Sequence, residues 1–194
     1  MDGYRSPPPR KDDMFRHVVF LFKLRLDGAG CTPFNPSWHK LVQGDSMRCF
    51  SACPDAAARI QGGADAPFLS GQIKFYQENG RVLVVTELTG LPLNSKTGFF
   101  AMHIHDGTSC SGKDFSETQG HYSPGENDHP NHAGDLPSLM SYDGKAYLAV
   151  RTDRFCVRDV IGKTLVIHSN PDDFRSQPSG NSGAKIACGV ICGN

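Results

Sequence analysis

From Pro54 onward the apolar and polar positions fall into short runs with a two-residue period, the signature of β-strands. Phe68 to Gln77 and Arg81 to Leu88 are rich in β-branched and aromatic residues. Asn79-Gly80 between them predicts a tight hairpin. Phe99 to His105 alternates, with Phe100, Met102 and Ile104 on one face and Ala101, His103 and His105 on the other. Lys145 to Thr152, Lys163 to His168 and Ile186 to Ile191 are predicted as further strands, and Asp143-Gly144 as a turn. Asp106 to Ser141 and Ser169 to Gly183 carry no strand pattern, and loops of that length usually serve a function. Short strands with two long loops predict an all-β antiparallel sandwich or barrel.

Residues 1 to about 53 have another character. Ser6-Pro7-Pro8-Pro9 and Gly28-Ala29-Gly30 interrupt them, and no period of 2 or 3.6 is sustained. They are expected to form an irregular, loosely ordered N-terminal extension to a domain at 54–194. A natural start at Met47 stays open as the alternative.

Composition narrows the function classes. With 20 Lys plus Arg against 20 Asp plus Glu, and no basic patch interleaved with aromatics, nucleic acid is not an expected partner. No run approaches the ~20 apolar residues of a membrane helix, so no membrane role is expected. The apolar run Val18 to Phe22 is cut short by Lys23 and Arg25 and does not read as an export signal. The cytoplasm is therefore the expected compartment, with a secreted or periplasmic site left open. Cys31, Cys49, Cys53, Cys110, Cys156, Cys188 and Cys192 are too few for a small disulfide scaffold in a chain of 194 residues, though one internal bridge is open.

The chemistry lies in the histidines. His17 and His39 belong to the extension; His103, His105, His121, His129, His132 and His168 lie in the second half. His103 and His105, one residue apart on a strand, share a face about 7 Å apart at the backbone and suit one metal. His121, His129, His132 and Asp135 supply three imidazoles and a carboxylate from one loop, a set that zinc accepts in a closed structural site. His168 ends the apolar run Leu165-Val166-Ile167, and with His103 and His105 makes three imidazoles, which copper takes readily. Spacing alone supports a histidine-built metal site without naming the metal.

Five ordered motifs go further: His103-Ile104-His105; Gly120-His121; His129-Pro130-Asn131-His132-Ala133-Gly134-Asp135-Leu136; Gly162-Lys163-Thr164-Leu165-Val166-Ile167-His168; and Gly180-Asn181-Ser182-Gly183-Ala184-Lys185-Ile186-Ala187-Cys188-Gly189-Val190-Ile191. Over about residues 54–194 the sequence resembles the copper–zinc superoxide dismutase family. The resemblance implies an eight-stranded antiparallel Greek-key β-barrel with the metals outside it, under two long loops. It implies copper on His103, His105, His121 and His168, and zinc on His121, His129, His132 and Asp135, with His121 bridging. Asp172 matches the family's aspartate that hydrogen-bonds one histidine of each set, and Cys110 and Cys188 match its internal disulfide. The implied activity is conversion of two superoxide radicals to dioxygen and hydrogen peroxide by copper cycling, with a homodimer open.

Some residues depart from the family pattern. Lys185 stands where an arginine is usual; lysine keeps the charge for guiding a small anion but lacks the planar fork. Ser176-Gln177-Pro178 replaces an often charged stretch, and only two residues separate His129 from His132. These departures keep open a catalytically weak, dismutase-like metal-binding protein. A copper-chaperone-type protein stays as a further alternative, for which the pair Cys49 and Cys53 is the only signal.

Overall fold

The structure is a computed structural model that describes residues 53–125 and 127–194. The extension up to residue 52, with His17, His39, Cys31 and Cys49, lies outside the described residues, as does Glu126.

Eight strands carry the fold: β1 (Ala56–Gly62), β2 (Ser70–Glu78), β3 (Arg81–Thr89), β4 (Phe99–His105), β5 (Asp135–Tyr142), β6 (Lys145–Thr152), β7 (Thr164–His168) and β8 (Lys185–Gly193). They close in the order β1-β2-β3-β6-β5-β4-β7-β8, with β8 paired back to β1, and every pairing is antiparallel. The step from β3 to β6 makes the order a Greek key, and closure leaves no strand edge open. A one-turn helix, α1 (Val157–Val160), crosses between β6 and β7, and no helix among the described residues is long and apolar enough to span a membrane.

Alternation builds the core. Ala56, Ala58 and Ile60 of β1, Ile73 and Phe75 of β2, Val82, Val84 and Leu88 of β3, Phe100, Met102 and Ile104 of β4, and Leu165 and Ile167 of β7 all point inward and are buried. Each fully buried Leu, Ile or Phe contributes roughly 1.5–3 kcal/mol relative to exposure. The hairpin predicted at Asn79-Gly80 forms with Glu78 opposite Arg81. At Asp143-Gly144 both residues have positive φ, 51° and 67°, as a two-residue turn of the type that matches strand twist requires.

β4 and β7 are buried on both faces along nearly their whole length. Ala101, His103, His105, Val166 and His168 point away from the barrel core yet are at most 3% exposed. The chain between β4 and β5 and the chain between β7 and β8 cover them. Outward-facing histidines are thus removed from water by loops, not by the core.

Two expectations need correction. The segment Asp106 to Ser141 is not strandless: β5 starts at Asp135. Its pattern is hidden by a bulge, since Phe100 pairs with Leu139 but Met102 pairs with Leu136. Two steps on β4 match three on β5, so both core leucines lie three apart and the two-residue period breaks. Phe68, expected to open a strand, precedes β2 and is 85% exposed. β1 was not among the named strands because alanines fill most of its inward positions, and alanine carries little strand signal.

Candidate metal centre

Backbone pairing brings the ligand candidates together. On β4, His103 is opposite Val166 of β7 on one side and Asp135 of β5 on the other. His121 forms an isolated bridge with His105. The Tyr122 amide donates to the Ile104 carbonyl at 2.9 Å, the Ile104 amide to the Gly134 carbonyl at 2.9 Å, and the Asp106 amide to the Gly120 carbonyl at 2.9 Å. The loop therefore lies along β4 like an added strand, and His121 sits between the two histidine groups. The disulfide Cys110–Cys188, spanning 78 residues, ties this loop to β8. Closing a chain loop of that length is worth about 4 kcal/mol in chain-entropy terms.

Two groups result: His103, His105, His121 and His168; and His121, His129, His132 and Asp135. Within each, one candidate ligand atom per residue lies within 4.8 Å of the others, and His121 belongs to both.

Proton placement tests whether metals fit. Asp172 lies 2.9 Å from His103 Nε2 through Oδ2 and 2.9 Å from His129 Nε2 through Oδ1. A carboxylate only accepts, so each Nε2 carries its hydrogen and each Nδ1 is a bare lone pair. These two Nδ1 atoms, with His121 Nε2, are buried without a hydrogen-bond partner. His105 Nδ1 donates to the Gln119 carbonyl at 2.9 Å, which leaves its Nε2 bare. His168 Nδ1 faces both the Gly183 carbonyl at 3.4 Å and Ser182 Oγ at 3.3 Å. His105 Nε2 and His168 Nε2 approach to 3.3 Å, so the two rings face each other across the first group. His129 Nδ1 lies 3.1 Å from Asp135 Oδ2, an approach of lone pair to anion. An unpaired buried polar atom costs about 1–3 kcal/mol. His103 Nδ1 and His121 Nε2 belong to the first group and His129 Nδ1 to the second, and a cation in each group would satisfy them.

Electrostatics agree. Burial, aided by neighbouring histidines and Lys185, pushes His105 down to about 2 and His168 down to about 3, so both rings are neutral and ligand-ready at ordinary pH. Burial also lowers His121. Burial alone would raise Asp172, but hydrogen bonds from His103, the Phe174 amide and His129 outweigh it and hold the carboxyl at about 2. Asp135 is lowered in the same way, with burial opposed and outweighed by His121 and its neighbours.

The two neutral rings set a pH dependence. The unfolded chain takes up protons at His105 and His168 near pH 6.5, whereas the fold refuses them until about pH 3 or below. Stability of the metal-free protein is therefore full above pH ~6.5 and falls as the pH is lowered toward 4. Urea titrations should show a midpoint that drops over that interval; a flat midpoint would contradict neutral burial.

Gly180 closes the site from the β7–β8 loop. It has φ +65°, and a Cβ there would collide with Asp172 Oδ1 and crowd His129 Nε2. Only glycine lets the loop pass over the Asp172–His129 bond.

Lys185, at the start of β8, reaches toward the first group. Its Nζ donates to Thr118 Oγ1 at 2.6 Å and to the Gln119 carbonyl at 3.0 Å. The same carbonyl accepts from His105, so one backbone oxygen positions both the cation and the ring. Burial lowers the lysine's pKa. Thr118 and Gln119 escaped sequence reasoning because they act through position and a main-chain oxygen, which leave no motif.

Fold and site together define a closed β-barrel metalloprotein with two histidine-rich sites sharing one imidazole. The sequence model of the family described as copper/zinc superoxide dismutase (SODC) matches residues 69–191. The chain is 36% identical over 137 residues to "Superoxide dismutase [Cu-Zn] 1" of Aquifex aeolicus, covering 62% of this chain and 79% of that protein. It is 33% identical over 145 residues to a "Superoxide dismutase [Cu-Zn]" of Legionella pneumophila, covering 71% and 86%. With the "Extracellular superoxide dismutase [Cu-Zn]" of Rattus norvegicus the identity is 28% over 151 residues, covering 70% and 62%. The chain belongs to the copper/zinc superoxide dismutase family.

Proposed function

We propose that the chain dismutates superoxide with copper on His103, His105, His121 and His168 and zinc on His121, His129, His132 and Asp135. The observation that carries this reading is that the candidate ligand atoms of two four-residue sets sharing His121 lie within 4.8 Å of one another, with His103 Nδ1, His121 Nε2 and His129 Nδ1 buried and unpaired. Copper supplies one-electron oxidation and reduction, while zinc supplies charge and geometry only. Metal analysis of the purified protein should return one copper and one zinc per chain.

The chain's own residues divide the remaining work. Asp172 locks the tautomers of His103 and His129, so each ring presents Nδ1 to its site. The Gln119 carbonyl holds His105 in the opposite sense, accepting from Nδ1 so that this ring presents Nε2. His121 has one nitrogen in each set. Its Nε2, buried and unpaired, is the atom that would hold a proton for the reduced oxygen, in a reaction where two superoxide radicals and two protons yield dioxygen and hydrogen peroxide. Lys185 is the cation beside the first set, fixed by Thr118 and Gln119, and it attracts the substrate anion.

Lys185→Ala should lower the rate about tenfold at low ionic strength, the lower end of what electrostatic guidance supplies. Added salt should slow the native enzyme and affect the variant less. Equal salt dependence in the two would remove Lys185 from guidance. A homodimer is the assembly we expect, closing on the face where Phe99, Met140, Tyr142 and Tyr147 of β4, β5 and β6 are exposed; sedimentation equilibrium at one chain's mass would dispose of it.

A further inference from the structure

The backbone from His129 to Asp135 holds three of the four residues of the second set, yet it has no regular ladder until β5 begins. Its polar groups must be satisfied some other way. Two side chains from elsewhere do this. Gln177, in the loop after β7, accepts from the His129 amide through Oε1 at 3.1 Å and donates from Nε2 to the His129 carbonyl at 2.6 Å. Arg154, just after β6, donates from the single atom Nη1 to the carbonyls of Pro130, His132 and Asp135 at 3.0, 3.1 and 3.3 Å. Three carbonyls drawn to one nitrogen curl the segment about that point. This fixes where the side chains of His132 and Asp135 begin, as Gln177 does for His129. Neither residue bonds to His103, His105 or His168.

We infer that Arg154 and Gln177 form a backbone clamp that positions the zinc-binding residues, and that the clamp acts on the zinc set rather than the copper set. The inference rests on the two-metal reading above. Gln177 falls in the stretch where this chain departs from the usual charged pattern. A neutral amide suits the place, because its separate oxygen and NH2 group accept from and donate to one residue's backbone at the same time. Arg154 needs its charge and hydrogens but not its fork, so lysine should serve in part.

The test uses the full-length chain and measures zinc affinity by chelator competition, copper affinity in parallel, and the visible spectrum of cobalt(II) placed in the zinc site as a reporter of ligand geometry. Arg154→Ala and Gln177→Ala should each weaken zinc about 10–100-fold and alter the cobalt spectrum, the size expected for partners that orient ligands. Copper affinity should stay within about threefold, well short of that. Arg154→Lys and Gln177→Glu, which retain part of the bonding, should fall between native and alanine. Zinc affinity within about twofold of native in both alanine variants, with an unchanged cobalt spectrum, overturns the clamp. So does a fall in copper affinity that matches the fall for zinc, since that marks a general folding defect. A native protein that binds no zinc would instead refute the two-metal reading itself.

Discussion

Replacing His121 with alanine is expected to weaken both metal sites at once, while His168→Ala weakens only copper. His121 is the single residue common to the two groups, with Nδ1 2.7 Å from Asp135 Oδ1 and a buried, unpaired Nε2 on the other side. Its loss takes one of four donors from each set. The loss of an outer partner alone costs about 10–100-fold in affinity or activity, so the loss of a shared ligand should exceed that for both metals. His168 contributes to the first group only, and its removal should leave zinc at full stoichiometry. Metal quantification on both variants after dialysis reads the difference. If His121→Ala loses copper but keeps zinc at native affinity, the bridge is wrong and the second group does not depend on this ring.

Asp172→Asn is the second large effect, and it acts without touching either metal. The carboxylate accepts from His103 at Oδ2 and from His129 at Oδ1, where the Phe174 amide also donates at 2.7 Å. An amide has one oxygen and one NH2 group, so only one of the two rings keeps an acceptor. The other ring then faces a donor, and the tautomer with its hydrogen on Nδ1 becomes favoured, pointing that hydrogen into the site. One isosteric change should therefore cost at least one metal about 10–100-fold in affinity. Because the amide oxygen is best used at the doubly donated Oδ1 position, the copper set is the one expected to suffer. Unchanged copper and zinc affinities in this variant would show that the rings are oriented by packing and not by Asp172.

Much of the site was legible from spacing. The alternation of Phe99 to His105 correctly separated a core face from a histidine face, because the strand period holds whatever covers the outer side. The structure brings the six histidines and Asp135 together; Asp172 and the Cys110–Cys188 bridge, which the family resemblance and not spacing implied, join them. What was not legible has physical causes. β5 was lost to the bulge opposite Phe100 and Met102, which sets Leu136 and Leu139 three apart. β1 was lost to its alanines. Thr118, Gln119, Arg154 and Gln177 were invisible because they work on main-chain atoms or through a single hydroxyl. A main-chain oxygen is offered by every residue, so nothing in the sequence marks the one that is used. Burial of His105 and His168, which holds them neutral, likewise depends on loops whose path the strand pattern does not specify.

The central claim is that the first histidine group is a working copper site. The most direct measurement is superoxide decay by the purified protein, followed as prepared with both metals, after selective removal of copper, and after copper is restored. The expected result is rapid decay, its loss on copper removal with zinc still bound, and its full return in proportion to copper regained. Full copper occupancy of the site without accelerated decay, or decay that survives copper removal, would contradict it.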